Sequence, residues 1–224
     1  SPTHSIDGGA RVPCGSAFRP TGLAGVAMTS TVIYLHGFRS SPLSVKAQAM
    51  VRAVAALPAH ERPELFVPDL GDRPAAAIRK VVEIVARERR PDATLAFVGS
   101  SLGGYYATHL AERFGARAVM INPAIRPYDD LAPYKGTQTN MVTGAAFEVT
   151  DAHFDELRAL AVPRITCPER YFLLVQSGDE VLDYREAVAY YGGAWQYVQG
   201  GGDHAFQGFE AQIPAILRFA AQGG

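Results

Sequence analysis

The chain has 224 residues, of which 48% are hydrophobic and 19% are charged, and its formal net charge is −1. This composition is typical of a soluble globular protein that is long enough to bury one sizeable core. A near-neutral chain is a poor partner for nucleic acid, because phosphate binding needs a clustered excess of lysine and arginine. The sequence has no run of 18 apolar residues, so we expect no membrane span.

Residues 1–27 are rich in Gly, Pro, Ser and Thr and show neither helical nor strand periodicity. Such a composition predicts a flexible N-terminal extension. An export signal is the alternative, because two arginines precede an apolar run at residues 22–27, but that run is short for a signal-peptide core. Cys14 and Cys167 have no metal-ligand spacing, so we predict neither a disulfide framework nor a metal site. The expected location is cytoplasmic.

Short apolar runs alternate with helical patterns after residue 30, which predicts an α/β protein. Most of the runs are continuously apolar, as in parallel strands that helices cover on both faces of a sheet. We therefore predict a mostly parallel central sheet of about six or seven strands. The candidate strands are Thr31–His36, Glu64–Pro68, Thr94–Gly99, Ala116–Ile121, Tyr171–Gln176 and Gln196–Gln199.

Two stripes of apolar residues recur at helical spacing and predict helices that pack on the sheet. The first stripe runs from Ile78 to Val85 and follows Pro74, which favours the start of a helix. The second runs from Phe206 to Ala220 and contains Pro214. That proline must either kink the helix or mark its true beginning.

The segment at about residues 123–168 is long for a connection and mixes Pro, Gly, Asn and Thr with one helical stretch near residues 151–160. We interpret it as a loop or lid-like insertion that contributes to substrate binding. An irregular surface excursion is the alternative. In either case we predict one domain, which spans residues 28–224.

A G-x-S-x-G pentapeptide, Gly99-Ser-Ser-Leu-Gly103, lies between a strand pattern and a helix pattern. In this context the motif predicts a sharp strand-to-helix turn that exposes a nucleophilic serine, Ser101. The serine would lie at the amino end of a helix, where the partial positive charge favours an oxyanion. A turn that merely caps the helix, or a phosphate-binding loop, is the alternative interpretation.

A serine hydroxyl is a weak nucleophile, so a general base must lie within hydrogen-bond reach and an acid must orient that base. Asp179 follows the predicted strand at residues 171–176, and His204 lies in a glycine-rich loop after the last strand. The order serine, aspartate, histidine matches that of hydrolases with this turn. Glu180 and Asp183 lie in the same loop as Asp179 and stay open as alternatives for the acid.

Acyl transfer also needs two backbone N–H donors that face the developing oxyanion. The N–H of Leu102, directly after the serine, is one candidate. The N–H of Phe38 is the other, because Gly37 allows a tight turn after the first strand. His36 is interpreted as a framework residue that bonds to the backbone.

Several sequence blocks resemble those of the YqiA-type small esterases, a family of the α/β-hydrolase superfamily. The blocks are Tyr34-Leu-His-Gly-Phe, Val98-Gly-Ser-Ser-Leu-Gly-Gly, Asn122-Pro-Ala, Gly178-Asp-Glu-Val-Leu-Asp and Asp203-His-Ala-Phe. They occur in this order within residues 31–220. The resemblance implies an α/β-hydrolase fold that acts on acyl esters and acyl thioesters. It also implies that Ser101, Asp179 and His204 are the nucleophile, acid and base.

We therefore expect a serine esterase that hydrolyses acyl esters through a covalent acyl-enzyme. No cofactor is expected, because proton transfer and oxyanion stabilisation supply the chemistry. An acyl-CoA thioesterase is an alternative, in which Arg39, Lys46 or Arg126 would bind phosphates unless each is a solvated surface charge. A non-catalytic binding protein on the same fold is the alternative from another class. Aromatic residues that would line an acyl pocket, unless they are plain core, are Tyr105, Tyr106, Tyr128, Tyr134 and Phe147.

Overall fold

The computed structural model describes residues 30–222, so the predicted extension at residues 1–27 and Cys14 lie outside the described residues. Strands and helices alternate along most of this range. The strands are β1 (Ser30–Leu35), β2 (Glu64–Phe66), β3 (Thr94–Ser100), β4 (Arg117–Ile121), β5 (Gly136–Thr139), β6 (Ala146–Val149), β7 (Tyr171–Gln176) and β8 (Trp195–Gln199). The helices are α1 (Val45–Ala56), α2 (Pro74–Glu88), α3 (Leu102–Phe114), α4 (Pro127–Asp130), α5 (Asp151–Ala159), α6 (Tyr184–Tyr190) and α7 (Phe209–Ala221).

The central sheet has six strands in the order β2-β1-β3-β4-β7-β8, and every neighbouring pair is parallel. Parallel neighbours need a crossover connection, and helices supply it here. Successive residues of a strand face opposite sides of the sheet. In β1, Ile33 packs in a core with α2, α3 and α6, whereas Val32 packs in a second core with α1 and α7. The predicted α/β class, parallel sheet and helices on both faces are confirmed.

Several observed elements were not predicted from the sequence. The segment at residues 123–168 contains an unpredicted antiparallel hairpin of β5 and β6. The strand β5 has the polar sequence Gly-Thr-Gln-Thr and therefore lacks the apolar alternation of a half-buried strand. Helices α1, α4 and α6 were not predicted either. Pro214 lies inside α7 and does not mark its beginning.

The parallel arrangement places the loops that follow β1, β3, β7 and β8 at the same edge of the sheet. In open α/β sheets ligands bind outside the carboxyl ends of the strands, where such loops meet. Phe38, Ser101, Asp179 and His204 all lie in these loops. The topology therefore brings together four residues that are far apart in the chain. No helix within residues 30–222 has both the length and the apolarity to cross a membrane.

Candidate active site

Ser101 lies in the turn between β3 and α3 and has a backbone conformation that is unusual for a residue other than glycine. Its φ is 56° and its ψ is −121°. Such a conformation is strained and persists only where the surroundings enforce it. Here the Ser101 N–H donates to the carbonyl oxygen of Ile121 at 3.0 Å, and the Ser101 carbonyl accepts from the Gly104 N–H at 2.9 Å. The strained turn places the serine at the amino end of α3.

The two glycines of the pentapeptide are required by close backbone contacts. A Cβ on Gly99 would collide with the carbonyl group of Gly103, and a Cβ on Gly103 would collide with the carbonyl oxygen of Leu35. Gly37 is also close to the serine, since a Cβ there would lie 3.2 Å from the Cβ of Ser101. The turn after β1 and the turn after β3 are therefore in contact beside Ser101.

The structure brings the three predicted side chains into one hydrogen-bonded chain. His204 Nε2 lies 3.1 Å from Ser101 Oγ, and His204 Nδ1 lies 2.9 Å from Asp179 Oδ2. Since a carboxylate only accepts hydrogen bonds, the Nδ1 proton belongs to the imidazole and Nε2 is free to accept the serine proton. The Asp179 side chain is 2% exposed and that of His204 is 23% exposed.

Backbone contacts fix the Asp179 carboxylate, whereas the alternative acids are engaged elsewhere. Asp179 Oδ1 accepts from the N–H groups of Val181 and Leu182, both at 2.9 Å. Asp183 instead caps α6 by accepting from the Arg185 N–H. Of the three candidate acids, Asp179, Glu180 and Asp183, only Asp179 bonds to the His204 imidazole in the described part of the chain.

The loop at residues 200–208, which we name the histidine loop, is held by two buried amides. Asn122 Nδ2 donates to the carbonyl oxygens of Asp203 at 2.9 Å and His204 at 3.1 Å. Gln176 Oε1 accepts from the N–H groups of Asp203 at 3.1 Å and Gln207 at 2.9 Å. Asn122 is 2% exposed and Gln176 is 0% exposed. Because these amides lie at the ends of β4 and β7, they fix the histidine loop to the sheet.

Two charged side chains add to this support, and their positions differ from the sequence-based expectations. Lys46 Nζ donates to the carbonyl oxygen of Ala205 at 2.8 Å, so it contacts the histidine loop. Burial lowers the pKa of Lys46. Glu180, considered as an alternative acid, accepts from the backbone N–H of His204 at 3.0 Å. Sequence reasoning missed the support given by Asn122, Gln176, Lys46 and Glu180. For Asn122 and Gln176, the available signal was a polar residue at the end of a buried strand.

The other two cations considered for phosphate binding also bond to the protein. Arg39 Nε donates to the carbonyl oxygen of Thr139 at 2.9 Å, which ties the turn after β1 to the hairpin. Arg126 forms an ion pair with Glu186 at 3.0 Å. All three candidate cations therefore have protein partners.

The two predicted N–H donors, those of Phe38 and Leu102, flank the turn contact described above. Neither N–H has a hydrogen-bond acceptor among residues 30–222. Leu102 is the first residue of α3, where the helix leaves its N–H groups without internal partners. The ring of Phe38 packs edge-on against Tyr134 and Phe147, with centroid distances of 5.7 and 5.8 Å. The rings of Tyr134 and Phe147 thus pack against Phe38, whose N–H is one of the two predicted oxyanion donors.

His36 is 3% exposed and has the framework role expected from the sequence. Its Nε2 accepts from the Leu70 N–H at 3.1 Å, and its Nδ1 lies 3.1 Å from the carbonyl oxygen of Gly37. This pattern requires the proton on Nδ1 and a neutral ring. Burial lowers the pKa of His36 below 6.5.

A cavity of about 240 Å³ opens beside the two predicted donors. Its walls come from the turn after β1, the loop between β2 and α2, the start of α3 and the hairpin. Apolar residues that line it include Phe38, Leu70, Leu102, Tyr106, Ala146 and Phe147. Polar residues that line it include Arg39, Asp69, Asp72, Asn140 and Thr143. Of the five aromatic candidates, Tyr106 and Phe147 border this cavity.

Comparison with known families matches residues 31–221 to the uncharacterised protein family UPF0227, whose members are YqiA-like. The match spans most of the chain. The chain belongs to this family. The resemblance that the sequence blocks indicated is therefore confirmed.

Solved structures that resemble this UPF0227 member are α/β hydrolases of low sequence identity. A protein of Agrobacterium vitis S4 with a provisional hydrolase assignment has a TM-score of 0.68 at 19% identity, covering 87% of this chain and 88% of its own. Est1E from Butyrivibrio proteoclasticus has a TM-score of 0.63 at 15% identity, with coverages of 87% and 88%. A monoacylglycerol lipase of Paleococcus ferrophilus has a TM-score of 0.61 at 13% identity, with coverages of 87% and 96%. These likenesses show the α/β-hydrolase fold.

Replacement of Gly103 by alanine tests the close contact inside the turn. Because the added Cβ would collide with the backbone of Leu35, we expect Gly103→Ala to lower the free energy of unfolding by about 3 kcal/mol or more. Gly200→Ala is the matched control, since a Cβ there meets no atom within 4 Å. Urea denaturation of both variants measures the difference. Equal stability of the two variants would contradict the packing described here.

The buried neutral His36 predicts a pH dependence of stability. Its pKa is lower in the folded state than the ordinary 6.5, so below about pH 6.5 the unfolded chain binds a proton that the folded chain does not. Stability should therefore fall as the pH decreases from 7 to 5. His36→Gln removes this titration, so the fall should be smaller in that variant.

Urea unfolding at pH 7, 6 and 5 measures the dependence in both proteins. His109, whose pKa is also lowered by burial, is retained in the variant, so part of the dependence should persist. An unchanged pH dependence in His36→Gln would show that His36 is not the titrating group.

Proposed function

We propose that this protein is a serine esterase that hydrolyses carboxylic esters of small molecules through a covalent acyl-enzyme. The observation that carries the proposal is the hydrogen-bonded chain from Asp179 through His204 to Ser101, with distances of 2.9 and 3.1 Å. These distances lie within the reach that general-base activation of a serine requires. The strained backbone of Ser101 adds support, because strain of this kind clusters at active sites.

In the first half of the proposed reaction, Ser101 Oγ attacks the ester carbonyl carbon while His204 Nε2 takes the hydroxyl proton. The carbonyl π electrons move to oxygen, and the N–H groups of Phe38 and Leu102 donate to that oxyanion. Asp179 accepts from Nδ1–H and stabilises the imidazolium. When the tetrahedral intermediate collapses, His204 returns its proton to the leaving alcohol, and the acyl group stays on Ser101.

In the second half, a water molecule takes the place of the alcohol. His204 removes one proton from the water as its oxygen attacks the acyl carbon. The second intermediate then releases the carboxylic acid, and the proton returns to Ser101 Oγ. One water is consumed for each ester, and the same side chains serve both halves in reversed roles.

The named relatives by fold support this class of reaction. Est1E is an esterase by its name, and the Paleococcus ferrophilus protein is a monoacylglycerol lipase. A fold hosts many functions, so the proposal depends on the site and not on this likeness. The predicted cytoplasmic location and the loop or lid role of residues 123–168 stay predictions.

An acyl-CoA thioesterase uses the same three side chains and differs in the leaving group. No observation favours it over an esterase, and each of the three candidate phosphate ligands, Arg39, Lys46 and Arg126, has a protein partner in this structure. In a non-catalytic protein we would expect neither the strained backbone of Ser101 nor the placement of His204 Nε2 at 3.1 Å from Ser101 Oγ.

Ser101→Ala should abolish hydrolysis of p-nitrophenyl butyrate, because it removes the nucleophile. The neighbouring Ser100→Ala is the matched control, and it should retain activity. Initial rates of purified wild type and both variants, with circular dichroism to confirm folding, measure the effect. Butyryl-CoA assayed in parallel compares thioester with ester turnover. Full activity of Ser101→Ala would refute the proposal, and an inactive wild type would favour the binding-protein alternative.

Asp179→Asn should lower kcat by about four orders of magnitude, because the amide no longer fixes the Nδ1 tautomer of His204. Asp183→Asn is the matched control, since Asp183 caps α6 and asparagine is also a good cap. The kcat of both variants on the same ester measures the difference. A larger loss in Asp183→Asn would mean that Asp179 is not the orienting acid.

A further inference from the structure

Tyr106 lies on α3 four residues after Leu102, so the two side chains share one face of that helix. Both residues border the cavity of about 240 Å³. Tyr106 is only 4% exposed. It is therefore a nearly buried side chain whose accessible part faces the space beside the proposed oxyanion donors.

The hydroxyl of Tyr106 differs from those of the other buried tyrosines. Each of the others has a protein partner: Tyr34 with Ser100, Tyr105 with Leu157, Tyr171 with Glu112 and Tyr191 with Thr108. Among residues 30–222 the Tyr106 hydroxyl has none. The hydroxyl is also not sealed inside the protein, unlike Nε2 of His153, which is fully buried without a hydrogen-bond partner.

A hydroxyl group that is desolvated without a hydrogen bond is unfavourable, so buried hydroxyls are normally paired. The remaining partner for Tyr106 must come from the cavity. Burial raises the pKa of Tyr106, and the charges of Glu156 and Asp72 raise it further. The hydroxyl therefore keeps its proton at neutral pH and can donate it to an acceptor oxygen.

The position of the cavity indicates which part of the substrate it receives. The leaving oxygen must lie near His204 Nε2, which returns the proton to it. The described residues that line the cavity include Phe38 and Leu102 but not Ser101, Asp179 or His204. The cavity therefore begins beside the proposed oxyanion donors and not beside the base, so an acyl group on Ser101 would enter it past those donors. Its volume of about 240 Å³ corresponds to about eight water molecules in the liquid, so a short acyl group fits inside it with room for water.

We propose that this cavity is the acyl subsite and that Tyr106 is a specificity-determining residue, which donates a hydrogen bond to an oxygen atom on a short acyl group. The proposal rests on the esterase function proposed above and names its substrate class. The preferred substrates are esters of short hydroxy or oxo acids. The polar residues that line the cavity fit an oxygenated group better than a long alkyl chain, and they include Arg39, Asp69, Asp72, Asn140 and Thr143.

The test compares p-nitrophenyl esters in matched pairs, 3-hydroxybutyrate with butyrate and 5-oxohexanoate with hexanoate. In the wild type kcat/KM should be higher for at least one oxygenated ester than for its plain partner. In Tyr106→Phe the ratio of oxygenated to plain kcat/KM should fall by about three- to tenfold, as expected for loss of one hydrogen bond. An unchanged ratio in both pairs would overturn the proposal.

Tyr105→Phe is the matched control. Its hydroxyl lies on the adjacent residue and donates to the carbonyl oxygen of Leu157 at 2.7 Å, away from the cavity. Tyr105→Phe should change stability and leave the ratio as in the wild type. A similar fall of the ratio in both variants would show a general packing effect and overturn the role of Tyr106.

A second variant tests the cavity if Tyr106→Phe does not fold. Ala146 is exposed and borders the cavity from the hairpin, so Ala146→Trp should narrow it without disturbing the core. We expect kcat/KM to fall more for hexanoate than for acetate. Equal effects on both esters would contradict an acyl subsite here. An absence of any ester hydrolysis by the wild type would instead contradict the proposed function itself.

Discussion

The placement of His204 depends on hydrogen bonds between the backbone of the histidine loop and two buried amides, Asn122 as donor and Gln176 as acceptor. Glycine-rich loops have many accessible conformations, so this loop needs outside support to hold one of them. The buried side-chain amides of Asn122 and Gln176 provide this support, because a buried polar group that loses its hydrogen bond raises the free energy of the folded state. The 3.1 Å contact between His204 and Ser101 follows from this anchoring.

The parallel sheet and the turn after β3 place the other residues of the proposed site next to His204. Parallel strands end at one edge, which gathers Phe38, Ser101, Asp179 and His204 from distant parts of the chain. Glycines allow the turns after β1 and β3 to touch, and Phe38 and Leu102 directly follow the two residues in contact, Gly37 and Ser101. The same contact joins the site to the hairpin, since the ring of Phe38 packs against Phe147. Site and cavity are thus parts of one packed unit.

The sequence was sufficient to predict the sheet and the proposed reacting residues, but not the residues that support them. Continuous apolar runs and the G-x-S-x-G turn are local signals, which predicted β3, α3 and Ser101. The hairpin has no such signal, because β5 is a polar strand that pairs only with β6. The role of Asn122 depends on contacts about 80 residues away, which no local pattern encodes.

The proposed chemistry requires that His204 activates Ser101 as a nucleophile. A fluorophosphonate probe measures this activation, because it reacts with activated serines and leaves a covalent adduct that mass spectrometry locates. We expect one adduct per chain, on Ser101, and a loss of labelling in His204→Ala. Labelling of another serine, no labelling of the folded wild type, or equal labelling rates with and without His204 would contradict it.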